Sequence, residues 1–496
     1  MTAAFQSSSV RLPRRMTAGP SRLMLALAIL AWPAAARADG SARDAGAPAA
    51  AVGARADRAV LGSRLLSALA NVHANIPAFS RQTGLACSVC HYQFPALTPF
   101  GRMFKLNGYT MTGLATIVAQ KDSTSEPSLK LLTVPPMAAM FVGSVSNTAK
   151  AAPGTQNGTV QFPDQASLFI GGAITPTVGI FSQFTYAAAD GTFGVDNIDL
   201  RYAAHHDISG HDLLFGLTLN NNPTVQDVWN TVPAWSAPYM SSEVAPGAIA
   251  STVIDGTLGQ AVVGLGAYSL LDNHLYTELT LYRSAPQGAA LPLDSSAVNT
   301  TDGVAPYWRI AWQQQMSQDY LMLGTFGLHT QLYPAGVSGA TNQFTDYGFD
   351  AQYEHPSGDG AIIGHATYIH ETQNRVADVT ASSPAAEFQS GNLSTFKANV
   401  ALATSLTYGA SLGYFQTTGS NDAILYQPGA VSGSATGSPN TQGMVGELSY
   451  NVWQNVRLAV QYVAYTKFNG SSTGYDGFGR SASDNNTLYT YLWLAF

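Results

Sequence analysis

Most of this chain repeats one pattern, in which apolar and polar residues alternate with a period of two. Around residue 349, Tyr347, Phe349 and Tyr353 alternate with Asp346 and Asp350. The same alternation recurs in three further stretches, residues 197–202, 275–282 and 457–462. Side chains of a β-strand point to opposite faces in turn, so this pattern predicts strands with one apolar and one polar face. It restricts the chain to a sheet, a sandwich or a barrel.

The lengths of the connections distinguish between those folds. About sixteen strands are long enough to cross a bilayer at a tilt, and they begin near residues 137, 166, 177, 194, 211, 258, 274, 305, 320, 343, 361, 395, 409, 441, 455 and 486. Short turns alternate with long connections, the long ones at 148–165, 222–257, 285–304, 374–394, 420–440 and 469–485. Outer-membrane barrels have short periplasmic turns and long extracellular loops, whereas a soluble sandwich does not need that contrast. The last strand ends at Phe496 and resembles the C-terminal signal of outer-membrane proteins.

Composition agrees with a transmembrane barrel. Charged residues make up 11% of the chain, far below the roughly 25% of soluble domains. Beyond residue 40 there is no apolar run of the roughly 18 residues that a spanning helix requires. The net charge of −7 argues against nucleic-acid binding and is compatible with cationic partners.

The N-terminal region has the features of an export signal. Residues 11–22 contain four arginines, residues 23–32 are apolar, and Ala36-Arg37-Ala38 is a small-x-small cleavage site. We therefore expect a signal peptide over 1–38, followed by a flexible leader over 39–56. A small helical domain is expected at 57–111, a linker at 112–136 and the barrel at 137–496.

The only two cysteines lie in the sequence Cys87-Ser88-Val89-Cys90-His91. This is the attachment motif of a c-type haem, in which two thiols bind the porphyrin and the adjacent imidazole is the proximal iron ligand. A zinc site would need further ligands nearby. A thioredoxin-like redox pair would need a surrounding βαβ unit. The motif predicts one covalent haem held by Cys87, Cys90 and His91.

Helices are expected on both sides of the motif, at 57–75 and after Thr98, with Thr98 as N-cap and Gly108 ending the second helix. The candidates for the distal iron ligand are Met103, Met111 and His73, and Met103 can equally be a packing residue beside Phe100 and Phe104. Basic residues near the motif are candidate partners of the haem propionates or else surface charges: Arg81, Arg102 and Lys105.

The interior of a sixteen-stranded barrel is wide enough to hold water or a plug. Several ionisable residues are expected to face it, either guiding cations or wetting the lumen: His329, His365, Asp346, Asp350 and Glu354. The longest loop, 222–257, is either a constriction folded into the lumen or an ordinary exposed loop.

The surroundings of the motif resemble the fused outer-membrane monohaem cytochrome–porins of iron-oxidising bacteria. The segments that carry the resemblance are IPAFSRQTG (76–84), LTPFGRMFKLNGY (97–109), NPTVQDVWN (222–230) and PAW (233–235). The resemblance implies haem attachment at Cys87 and Cys90 and iron ligation by His91. It also implies a haem that plugs the barrel, takes electrons from extracellular Fe(II) and passes them to a periplasmic cytochrome c or cupredoxin.

The expected protein is thus an all-β transmembrane barrel in outer-membrane lipid, with a small N-terminal α-helical c-type haem domain. Its expected function is outer-membrane electron transfer, as an iron-oxidising oxidoreductase if Fe(II) is the donor. Two alternatives are an electron conduit for another donor or acceptor, and a diffusion porin whose haem domain gates or senses.

Overall fold

The computed structural model describes residues 78–114, 136–189, 191–284, 299–358, 360–404 and 407–496. The expected signal peptide, the leader, the helix over 57–75 with His73, and most of the linker lie outside the described residues. No helix of the described part of the chain is long and apolar enough to cross a membrane.

Residues 78–114, here called the attachment segment, form a small helical unit before the barrel. Its elements are α1 (Ala78–Thr83), α2 (Cys87–Cys90), β1 (His91–Gln93), β2 (Ala96–Leu97) and α3 (Pro99–Leu106). Helix α3 begins as the sequence predicts, because Thr98 Oγ1 accepts a hydrogen bond from Gly101 N at 3.1 Å and Pro99 occupies the first helical position. After the helix, Gly108 adopts a left-handed conformation with φ of 68°.

The remaining strands form the wall of the molecule. They are β3 (Met137–Thr148), β4 (Thr159–Gln161), β5 (Gln165–Thr175), β6 (Val178–Ala187), β7 (Thr192–Ile208), β8 (His211–Asn220), β9 (Val262–Leu271), β10 (Leu275–Ser284), β11 (Thr300–Thr301), β12 (Ala305–Met316), β13 (Asp319–Tyr333), β14 (Asn342–Ser357), β15 (Gly360–Asn374), β16 (Ser390–Thr404), β17 (Tyr408–Gly419), β18 (Thr441–Trp453), β19 (Val456–Lys467) and β20 (Thr487–Ala495). One short helix, α4 (Val376–Thr380), lies in the loop after β15.

These strands close into one antiparallel barrel, in which β20 pairs with β3. Apart from β4 and β11, which lie within two of the long connections, the wall has the sixteen strands that the alternation predicts. The start of each strand agrees with its expected position to within five residues. The predicted barrel is therefore confirmed.

The outer face of the wall is apolar. Phe349 is 57% exposed and Leu448 is 67% exposed, and large apolar side chains are exposed on strands around the barrel, among them Leu217, Leu265, Leu279, Ile310, Leu323, Val400 and Leu412. A closed barrel leaves no unpaired strand edge, and an apolar outer face suits lipid. The protein is an outer-membrane barrel, with its short turns at one end and its long loops at the other.

Two segments fill the lumen, one above the other. The attachment segment contacts wall residues near the short turns: Gln82 Nε2 donates to Gly171 O at 3.0 Å, and Gln93 Nε2 donates to Ser449 Oγ at 2.8 Å. Residues 222–257, here called the constriction loop, lie between it and the long loops. Near the long loops, Ile254 N donates to Asp346 Oδ2 at 2.9 Å. The constriction alternative for this loop is therefore correct.

Candidate functional site

The attachment turn, residues 87–91, is a tight unit in which the two cysteines lie three residues apart in helix α2. Cys87 and Cys90 form no disulfide, and both are partly exposed. The following residues fasten the turn, because Thr98 N donates to Cys90 O at 2.9 Å and Thr98 Oγ1 donates to Val89 O at 2.5 Å. The turn is thus fixed to the start of α3 by one threonine.

Burial raises the pKa of both thiols, and the neighbouring Cys87 adds to the effect at Cys90, whose pKa rises to about 11. A thioredoxin-like redox pair requires the opposite, a thiol whose pKa is lowered so that a thiolate is present near neutral pH. Burial of Cys87 and Cys90 acts in the opposite direction.

His91 is oriented as a metal-ligating histidine should be. Its Nδ1 lies 3.3 Å from Pro95 O, so in the tautomer protonated at Nδ1 the ring donates to this carbonyl and Nε2 is left as the ligating nitrogen. The Phe94 ring packs against the imidazole at 4.8 Å between centroids. Burial lowers the pKa of His91 to about 4, which keeps the ring in the neutral form that binds iron. These residues fit a haem bound at the turn.

Glycine is required where α3 crosses the attachment turn. A Cβ at Gly101 would overlap the backbone carbonyl of Cys90, so only a residue without a side chain permits this close approach. Gly101 therefore fixes which face of α3 lies against the turn. Met103 follows two residues later, on the opposite face of the helix.

The candidates for the distal ligand lie in different places. Met103 packs with Leu97 against a cluster of the barrel wall and constriction loop that includes Trp229 and Tyr320. Met111 is 37% exposed, at the end of the segment. The expected shared packing of Phe100, Met103 and Phe104 is only partly right, because Phe100 is 40% exposed. Ligation by Met103 stays a prediction. In the described part of the chain, no three His, Cys, Asp or Glu side chains are grouped to hold a metal ion.

Two of the three basic residues near the motif, Arg102 and Lys105 of α3, are buried. The alternative that they are surface charges is therefore wrong. Arg102 is buried and forms an ion pair with Glu354 of β14. Lys105 is also buried, and its Nζ donates to Val225 O at 2.7 Å and to Asp227 O at 2.8 Å in the constriction loop. Arg81, in contrast, is on the rim and donates to Met137 O at 2.9 Å.

Four of the five ionisable residues that were predicted to face the lumen do face it. They are buried, however, and so do not line a water-filled space. Asp346, Asp350, Glu354 and His365 are all buried under the two inner segments. The prediction that His329 faces the lumen is wrong, because this residue is exposed on the outer face, opposite Thr345. The reason is that β13 carries apolar residues on both faces, such as Leu323 outside and Leu328 inside, so alternation does not identify its lumen side.

The constriction loop is fixed by a buried ionic group that the sequence analysis missed. Arg309 of β12 has Nη2 2.6 Å from Asp350 Oδ2 and 3.5 Å from Asp227 Oδ1 of the loop. Trp229 Nε1 in the same loop donates to Tyr320 OH at 2.7 Å. The sequence held a partial signal, because Arg309 is a charged residue within an alternating strand. Its loop partner could not be foreseen.

No protein-family model and no curated protein matches the chain. Among solved structures, the chain is similar to Salmonella typhi OmpF in complex with daunomycin, with a TM-score of 0.43, 12% identity and coverage of 73% of this chain and 97% of that one. An anion-selective porin from Comamonas acidovorans gives a TM-score of 0.43 at 11% identity, covering 73% and 98%. The outer-membrane channel DcaP of Acinetobacter baumannii gives 0.42 at 11% identity, covering 73% and 96%. The assignment to the outer membrane comes from the barrel's own surface.

Proposed function

We propose that this protein transfers electrons across the outer membrane, from extracellular Fe(II) to a periplasmic cytochrome c or cupredoxin. Its redox centre is a c-type haem bound covalently to Cys87 and Cys90, with His91 as the proximal iron ligand. The observation that carries the proposal is the attachment turn itself. It is held inside a closed barrel, with His91 Nδ1 engaged by Pro95 O and Nε2 left for iron.

A c-type haem supplies a one-electron carrier whose potential depends on its ligands, its burial and nearby charges. The chain's own residues hold and shield the centre. Thr98 and Gly101 keep the attachment turn against α3, and the wall and the constriction loop bury Arg102, Lys105 and Leu106 of that helix. The lumen also leaves accessible room beside β1, because inward-facing side chains on β16–β18 remain partly exposed, among them Asn399, Ser411, Val445 and Glu447.

The position of the segment supports delivery of electrons to a periplasmic protein. The segment lies at the short-turn end, and the constriction loop separates it from the long loops. Buried acidic side chains are found toward the long-loop end: Asp164, Asp196, Asp255, Asp346 and Glu371. These carboxylates are buried and line no open path for cations, so the choice of Fe(II) as the donor rests on the resemblance to the iron-oxidising cytochrome–porins.

The test is to mix the purified, oxidised protein with Fe(II) and to follow the absorption spectrum of the haem. We expect the reduced spectrum to appear with Fe(II) and not with Mn(II), which has the same charge but is a much weaker reductant. The Cys87→Ala/Cys90→Ala variant is the matched control and should give no haem spectrum. If dithionite reduces the protein but Fe(II) does not, the donor is a different one. A protein without covalent haem refutes the proposal.

A second candidate is a diffusion porin whose attachment segment gates or senses. The observation that favours it is the sixteen-stranded barrel, which would enclose water if it were empty. Conductance in planar bilayers separates the two functions, because a porin conducts well whereas a barrel filled by both inner segments conducts poorly.

A further inference from the structure

One carboxylate of the barrel wall, that of Glu354, binds the attachment segment at two places, β1 and α3. Glu354 lies near the end of β14 and is 2% exposed. Tyr92 OH donates to Glu354 Oε2 at 3.1 Å, and Arg102 Nη2 donates to the same oxygen at 3.3 Å. Arg102 Nη1 donates to the other oxygen, Oε1, so the arginine contact is bidentate.

The two partners of Glu354 flank the residues that would hold the haem. Tyr92 directly follows His91 in the chain. Arg102 directly follows Gly101, the residue that touches the Cys90 carbonyl. Arg102 Nη1 also donates to Leu97 O at 3.1 Å, and Leu97 pairs with His91 between β1 and β2. Moving Glu354 would therefore move both sides of the attachment turn.

We propose that Glu354 is a positioning residue for the haem site, and that its negative charge offsets the effect of the buried Arg102 guanidinium on the reduction potential of the site. This inference rests on the proposed function, because it concerns the haem that Cys87, Cys90 and His91 would hold. Glu354 acts through Tyr92 and Arg102, and it is not itself an iron ligand.

The sign of the electrostatic effect follows from the charges. Oxidation of the iron adds one positive charge, so a nearby buried carboxylate stabilises the oxidised form and a nearby guanidinium opposes it. In the pair the two effects largely cancel. Glu354→Gln leaves Arg102 charged, since arginine does not lose its proton in proteins, and the midpoint potential should rise. Removing both charges with Arg102→Gln should bring the potential back toward that of the unmodified protein.

The same strand offers a matched control. Asp350 lies two lumen-facing positions away from Glu354 on β14, is also buried, and also pairs with an arginine, Arg309. Its pair holds the constriction loop through Thr231 and Asp227 and does not contact the attachment turn. Asp350→Asn therefore removes an equivalent buried charge without touching the haem site. Its effect on the potential should be much smaller.

The experiment is a redox titration of the full-length protein in detergent, followed by the haem absorption, with the low-spin spectrum recorded for each variant. We expect Glu354→Gln to raise the midpoint potential, the double variant to reverse most of the shift, and Glu354→Asp, which keeps the charge, to stay close to the original value. Heat-modifiable migration on gels checks that each barrel is folded. If Glu354→Gln does not fold, Arg102→Gln replaces it: the remaining Glu354 charge should lower the midpoint potential, whereas Asp350→Asn should change it little, and an unchanged potential in Arg102→Gln would contradict the inference.

Two results would overturn the inference while leaving the proposed function intact. One is covalent haem with unchanged spectrum and potential in Glu354→Gln. The other is a shift of equal size in Asp350→Asn, which would mean that any buried charge of the lumen has the same influence. Absence of covalent haem from the unmodified protein would instead remove the proposed function, and this inference with it.

Discussion

Every strand of the barrel wall pairs with neighbours through backbone hydrogen bonds, whereas the two strands of the attachment segment pair only with each other. The segment is held to the wall by side chains such as Arg102, Lys105 and Gln82. Backbone pairing is available to any sequence with the right alternation, but each side-chain contact needs a particular residue at a particular place. The wall should therefore tolerate changes that disable the segment.

The largest effect that tests this comparison comes from the thiols. Replacing both Cys87 and Cys90 with alanine should abolish denaturant-resistant haem staining, because the covalent link requires the sulfur atoms. The barrel should still migrate as a heat-modifiable band. His91→Ala should lose the low-spin spectrum even where haem stays attached. Staining that persists in the double variant would contradict the haem assignment, and loss of the barrel would contradict the independence of the wall.

The next largest effect is on conductance, and it distinguishes the contribution of the attachment segment from that of the constriction loop. Deleting residues 57–111 should raise the single-channel conductance, because the short-turn half of the lumen then holds water. The constriction loop remains, held by Arg309 and Asp350, so the pore should stay narrower than an empty barrel. Shortening the loop in addition should raise the conductance further.

The control for the deletion is the loop-shortened barrel that keeps its attachment segment, which should conduct little. If the deletion alone gives the full conductance, the constriction loop does not limit passage and its buried contacts do not hold it in the channel. If the deletion changes nothing, the segment does not block the lumen.

The comparison also explains what could be read from the sequence. Alternation and connection length depend only on local residue type, so the strands of the wall could be located before the structure was known. The haem motif and the Thr98 cap were equally local. The partners of Glu354 could not be foreseen, because Tyr92 and Arg102 are more than 250 residues away in the chain. His329 was assigned to the wrong face because both faces of its strand carry apolar residues, so alternation there does not show which residues face the lumen.

The outer face of the wall provides a third test, with a smaller effect. Phe349 lies at the middle of β14 and faces lipid, so Phe349→Arg should destabilise the folded barrel by about 2–4 kcal/mol. Tyr408, the first residue of β17, lies next to a short turn, and Tyr408→Arg should cost about 0–1 kcal/mol. Urea unfolding in detergent or lipid measures both. Equal costs at the two positions would mean that this face does not cross a membrane.

The smallest effect is expected from a change at Thr98, which should lower the stability of the attachment segment and not that of the barrel wall. Its hydroxyl accepts from Gly101 N at the start of α3 and donates to Val89 O in the attachment turn, so it joins the two elements. Thr98→Ala removes the helix cap and should cost about 1–2 kcal/mol. Because the wall does not use this contact, the unfolding transition of the barrel should not move. The loss should appear as faster hydrogen exchange in residues 87–106, by roughly 5- to 30-fold for that range of free energy.

Thr98→Ser keeps the hydroxyl and should exchange almost as slowly as the unmodified protein. A barrel transition that falls together with segment protection would show that wall and segment fold as one cooperative unit, and the distinction between them would have to be given up.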